Sequence, residues 1–239
     1  MKKFSILIVF VFFHLSLSAQ NILPAFTSEA DAFLKKYVSD GKVAYAAIKK
    51  EGQAIQVLSS RISSINLTNA SENSKKAFYI NAYNLLVIQA VSNLYPLKSV
   101  MDKPGFFDKT LYTVAGEKLT LNDLEKKKLL QPYPDARLHF ALACAAISCP
   151  PLASFAYSPD EIDSQLNNRT KLTLNNPVFI RVNSKNRQVL LSKIFDWYKN
   201  DFTKDNQTVL SFLNTYRTDK IPGNYQLGYY EYNWSLNNQ

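Results

Sequence analysis

Both cysteines of the chain, Cys144 and Cys149, and one of its two histidines, His139, fall within a single stretch, RLHFALACAAISCPP, residues 137 to 151. A thiol with an imidazole base and a third polar group to orient that base is the arrangement of cysteine hydrolases and acyl transferases. The reactive species is the thiolate, so such a site needs a neighbour that lowers the thiol pKa. In this reading His139 is the base and Cys149, ahead of Cys144, the nucleophile. Candidates for the third member are Asn81, Asn84 and Asp196, with either asparagine orienting the histidine or binding an oxyanion.

Spacing constrains the dyad. On a strand, His139 and Cys144 point to opposite faces about 16 Å apart. On a helix they stand about 140° apart around the axis. Pairing with Cys149 requires residues 145–148 to turn back, and Pro150-Pro151 forbids a regular continuation beyond it. The same turn would let the cysteines form a disulfide, which needs Cα atoms about 4.4–6.8 Å apart. A third reading makes RLHFALAC a core strand, with the cysteines as small hydrophobes and His139 a satisfied core histidine. All three stay open on the sequence. The spacing is not that of a C-x-x-C redox pair, and one histidine with two cysteines lacks a fourth metal ligand, so no cofactor or metal is expected.

The compartment bears on these alternatives. Lys2 and Lys3, an apolar run over 4–15 and a small-residue exit at Ser18-Ala19 read as a secretory signal peptide, residues 1–19, too short for a comfortable membrane span. His14 leaves with it. Residues 20–239 are then expected to form one exported globular domain, periplasmic, cell-surface or secreted, and not membrane-spanning once the signal is removed. A formal charge of +9 is scattered as Lys35-Lys36, Lys49-Lys50, Lys75-Lys76 and Lys126-Lys127-Lys128 among acids. That is a set of solvated faces rather than a nucleic-acid stripe. With 46% hydrophobic and 13% aromatic residues the chain can build a core without a disulfide framework.

The elements that must position these residues follow from periodicity. Thr27-Ser28 precede an amphipathic helix that ends at Ser39-Asp40-Gly41, and 43–65 is helical in part. Residues 75 to 96 are apolar on nearly every side, which predicts a helix buried in the core and closed by Pro96. Asn81 and Asn84 share one face of it, and their buried amides require partners: loop backbone, or a site. Residues 110 to 121 predict two strands around Ala115-Gly116, and Asn122 then caps a short charged helix. Pro159 opens a further helix. Residues 178–182 and 187–191 form a hairpin, Ser192 caps KIFDWYKNDF, TVLSFLNTYR is helical and YQLGYYEYNW is a last strand. Helices and antiparallel hairpins without a βαβ rhythm predict an α+β fold in one domain.

At NAYN, RLHFALACAAISCPP, FDWYKNDF and the terminal YNWSLN, the chain resembles the domain of unknown function 547 family, from about Gly41 to Asn237. The resemblance implies a bacterial, exported protein and supplies no activity. Relatives often carry an acid in a G-x-V-D-Y stretch where this chain has Ala44, and plant relatives have serine at the place of Cys149. A second class of function rests on other residues. Trp197, Tyr198, Tyr216, Tyr225, Tyr229, Tyr230, Tyr232 and Trp234 crowd the last third, where aromatics either fill the core or anchor a protein or envelope polymer. The two expectations are therefore a thiol-dependent enzyme and a non-catalytic binding domain with structural cysteines, the partner being an unidentified envelope or extracellular one.

Overall fold

The computed structural model describes residues 22–239; the signal peptide expected over 1–19 lies outside them. The chain begins with α1 (Ile22–Tyr37), whose Phe26, Ala30, Phe33, Leu34 and Tyr37 recur on one buried face. A two-residue hairpin, β1 (Val38–Ser39) with β2 (Lys42–Val43), turns through Asp40 and Gly41, both at positive φ. Next come α2 (Tyr45–Glu51), α3 (Gln53–Ser64) and α4 (Glu72–Leu94). α4 is buried almost without a break from Ala77 to Ser92, as its all-round apolar pattern requires. Ser71 caps it by accepting from the Ser74 amide at 3.1 Å. α1, α2 and α3 pack around it and bury the first of two apolar clusters.

The other two sheets and the second cluster lie after α4. β3 (Tyr112–Val114) and β4 (Glu117–Leu119) pair antiparallel across Ala115-Gly116. α5 (Leu121–Glu125) is capped two residues earlier than expected, by Thr120 in a reciprocal box with Asp123, rather than by Asn122. α6 (Ile162–Leu174) starts three residues beyond Pro159. β5 (Arg181–Asn183) and β6 (Gln188–Leu191) form the expected hairpin, then α7 (Ile194–Trp197), α8 (Lys199–Phe202) and α9 (Val209–Tyr216) follow. β7 (Gln226–Tyr229) adds to β6 in parallel, with Val189 opposite Leu227. The result is a single domain of mixed α+β content.

Three local expectations are corrected. The segment before the cysteines is neither strand nor α-helix: residues Ala136–Phe140 form a 3-10 turn. Asp135 starts it by accepting from the Arg137 amide at 3.0 Å and holding the Arg137 guanidinium. FDWYKNDF is not one helix, because Tyr198 at φ −112°, ψ 30° breaks it into α7 and α8. Only four residues of YQLGYYEYNW are strand, running parallel to β6; beyond Tyr229 the chain leaves the sheet.

Phe140 couples the two halves. Its neighbours Leu138 and Ala141 belong to the first cluster, whereas its own ring packs among Phe179, Phe195, Phe202 and Phe212 in the second. The chain thus crosses from one core to the other at the histidine, and the site lies on that seam.

Candidate functional site

Residues 141–157 are irregular, so their backbone groups need partners from elsewhere. α4 supplies them through its two amides. Asn84 donates to Ala141 O at 2.9 Å and accepts from the Ala143 amide at 3.0 Å. Asn81, one turn earlier, donates to Tyr157 O and accepts from its amide, both at 2.8 Å. The shared face therefore holds both ends of the cysteine loop. Neither amide bonds His139, so the loop-backbone alternative accounts for both side chains.

Residues 145–148 do turn back. Ala145 takes a positive φ of 61°, and the Cys149 amide donates to Ala146 O at 3.1 Å. The C-terminal segment straps the turn: the Asn237 amide donates to Ala145 O, the Ile147 amide to Ser235 O and the Ser148 amide to Asn233 O, at 3.1, 2.8 and 3.2 Å. With this turn closed, Cys144 and Cys149 are joined in a disulfide with their Cα atoms 6.2 Å apart. Neither sulfur is then a resting thiol, and the enzyme reading lacks its nucleophile in this form.

The strap carries Tyr232 and Trp234 over the disulfide. A cavity of about 260 Å³ opens between them, the 3-10 turn, α5 and α7. Cys144, Cys149 and His139 all line it, although regular structure would have kept His139 and Cys144 apart. The 3-10 turn and the irregular chain after it remove the periodicity on which that separation rested. Tyr232 Oη lies 3.1 Å from Cys144 Sγ and 3.2 Å from Cys149 Sγ, and the Cys144 amide points at Cys149 Sγ from 2.9 Å.

His139 does find a carboxylate, but not one of the expected partners. Its Nε2 is 2.8 Å from Asp201 Oδ2, and its ring packs on Tyr198, centroids 4.2 Å apart. Asp196 points away, is exposed and pairs loosely with Lys193 at 3.6 Å. The break at Tyr198 decides between the two aspartates, because it turns α8 so that Asp201 faces inward. The hydrogen bond from His139 and the ion pair it forms hold the Asp201 carboxyl below the usual carboxylate range. Lys204, 3.5 Å away, acts in the same direction.

A second carboxylate carries no signal in the sequence because it stands beside the lysine run 126–128, which reads as a solvated face. Glu125, at the end of α5, is buried, accepts from Tyr198 Oη at 2.7 Å and lies 3.4 Å from Tyr83 Oη. Burial first, and then this carboxylate, push the Tyr83 and Tyr198 phenols up, so both remain donors throughout the physiological range. Burial does the same for Tyr232. The remaining wall is aromatic: Trp197, Tyr232 and Trp234 pack together with centroids 4.7–6.0 Å apart. Trp197 is 50% exposed at the rim. The aromatic cluster expected from the last third is thus divided, with Tyr216, Tyr225 and Tyr229 against the second core and the two tryptophans at the cavity.

Among the described residues no group of three or more His, Cys, Asp or Glu is placed to hold a metal, and no helix is long and apolar enough to cross a membrane. Residues 67–172 match the model of a family described as Protein of unknown function, DUF547, which supports the resemblance over a shorter span than its motifs cover. The matched span includes Asn81, Asn84, Glu125, His139 and both cysteines; Asp201, Trp197, Tyr198, Tyr232 and Trp234 lie beyond it. No curated protein and no solved structure matches the chain.

Proposed function

We propose, taking the match to a family of unknown function as the premise, that the chain is an exported ligand-binding domain whose cavity holds one ring of an envelope polymer. The observation that carries this reading is the meeting of an aromatic wall, Trp197, Tyr232 and Trp234, with the Glu125 carboxylate and the His139 ring, itself held by Asp201 from outside the lining, around one small cavity. Indole and phenol faces cover the apolar face of a sugar-like ring, while the Glu125 carboxylate and the His139 ring take its hydroxyls. About 260 Å³ is under the usual range of about 300–1,000 Å³ for small-molecule sites, so the fit is to a single ring or side group. The leader-like segment over 1–19 and a disulfide, which persists in oxidising compartments, support export.

The chain has two tryptophans and both line the cavity, so selectively excited tryptophan fluorescence, without the emission of the 14 tyrosines, reports on this site. Titration with oligomers of N-acetylglucosamine and of glucose is expected to give a saturable change with one of them that is lost in Glu125→Gln. No saturable change with either would overturn the reading.

The thiol-dependent hydrolase or acyl-transferase reading keeps one specific support, His139, which lines the same cavity as the cysteines and is held by Asp201. It requires the disulfide to be open. Turnover of an activated ester by the reduced but not the oxidised protein is its expected signature, and an inert reduced protein ends it.

A further inference from the structure

The disulfide is placed as an exchange centre rather than as a buried staple. It lines the cavity instead of being sealed behind the core, and its two sulfurs differ in surroundings. Cys149 is buried, whereas Cys144 is partly open to solvent, so an incoming group meets Cys144 Sγ first. The other sulfur has a donor of its own: the Cys144 amide points at Cys149 Sγ from 2.9 Å, while the Tyr232 hydroxyl stands between the two sulfurs, 3.1 Å from Cys144 Sγ and 3.2 Å from Cys149 Sγ. A disulfide sulfur is a weak acceptor that gains little from such a donor, whereas a thiolate at Cys149 would be stabilised by it, and by the Tyr232 hydroxyl turning to it.

We infer that the Cys144–Cys149 pair oxidises dithiols by thiol–disulfide exchange, with Cys144 the sulfur attacked and Cys149 the leaving thiolate. A thiolate of the dithiol attacks Cys144 Sγ, the Cys144–Cys149 bond breaks, and its electron pair leaves on Cys149 Sγ, where the Cys144 amide and Tyr232 hydroxyl receive it. The second thiolate of the same dithiol then attacks the substrate sulfur of the mixed disulfide, and that bond's pair leaves on Cys144 Sγ. The dithiol ends as its disulfide and the cysteines as two thiols, with the two protons lost by the dithiol balanced by those the cysteines take from water. Exchange is faster when the leaving thiol is the more acidic one, and the Cys144 amide favours Cys149 in that role.

The groups facing Cys149 act in both directions. Glu125 opposes a thiolate by its charge, while His139 assists when protonated; Tyr83, Tyr198 and Tyr232 stay neutral donors. The two amide-type and phenolic donors in direct contact decide the balance. A C-x-x-C spacing is unnecessary, because the strapped turn brings together the sulfurs that four intervening residues separate.

The test uses the full native chain and does not depend on ring binding or ester turnover. Incubated with dithiothreitol and its oxidised form, then alkylated and resolved residue by residue by mass spectrometry, both cysteines are expected to open while circular dichroism stays native. In the reduced protein, and in Cys144→Ser, Cys149 alkylation is expected to reach half its maximal rate at least about one pH unit below an ordinary thiol, about 8.5. Tyr232→Phe is expected to slow Cys149 alkylation at pH 6 by about tenfold, the equivalent of one unit. A pair that opens only on denaturation, or a Cys149 that titrates like an ordinary thiol in the folded reduced protein, overturns the proposal.

Discussion

His139 Nε2 stands 2.8 Å from Asp201 Oδ2, which ties the 3-10 turn before the disulfide to the broken helix after β6. The pair is mostly shielded, with the histidine side chain 3% exposed and the aspartate 27%. Because the Asp201 carboxyl titrates lower in the folded chain, it adds stability above the unfolded carboxylate pKa, about 3.9. That contribution is lost as pH falls through the lower folded value. Thermal unfolding of wild type and Asp201→Asn is expected to differ at pH 7, with the gap closing below about pH 4. A gap that stays constant down to acid pH would mean that the charge contributes nothing.

Asn81 and Asn84 each satisfy one buried amide and one buried carbonyl of the cysteine loop. Either asparagine changed to alanine leaves both groups unpaired, at a cost of roughly 2–4 kcal/mol. Urea unfolding checks this; an effect below about 1 kcal/mol would mean that water replaces the side chain.

Phe140 is fully packed at the junction of the two cores, so Phe140→Ala is expected to lose about 3–5 kcal/mol. Trp197, half exposed at the cavity rim, is the control: Trp197→Ala is expected to change stability by under about 1 kcal/mol while removing most of the ligand-dependent fluorescence change. Equal losses from both variants would contradict the division into core and rim.

Gly41 turns the first hairpin at φ 77°, and a β-carbon there would meet Pro151 Cβ at 2.6 Å, immediately beyond the disulfide loop. Gly41→Ala is expected to cost at least about 1–2 kcal/mol from the backbone conformation alone. Because Pro151 must move, a changed rate of disulfide reduction should accompany the fall in melting temperature. An unaltered melting temperature would show that the hairpin adapts freely.

Much of the scaffold is legible along the chain. The apolar pattern of α4 announces a buried helix, Ala115-Gly116 and the 184–187 turn mark their hairpins, and the mixed order of elements gives α+β. These are local signals, fixed by propensity and periodicity within a few residues. The demand that Asn81 and Asn84 find partners is equally local, since a buried amide has to be satisfied wherever the helix lies.

The site depends on contacts that no local pattern encodes. Asp201 rather than Asp196 meets His139 because Tyr198 leaves helical geometry, and Glu125 is buried where the Tyr83 and Tyr198 hydroxyls meet its carboxylate. The turn over 145–148, open in the sequence between nucleophile, disulfide and core, closes because residues 233–237 hydrogen-bond to it from the far end of the chain. The residues themselves determined the helices, the hairpins and the chemical types available. Tertiary structure alone decided which of them meet, because pairing across 62 residues for His139 and Asp201, and 88 for Cys144 and Tyr232, is set by packing rather than by spacing.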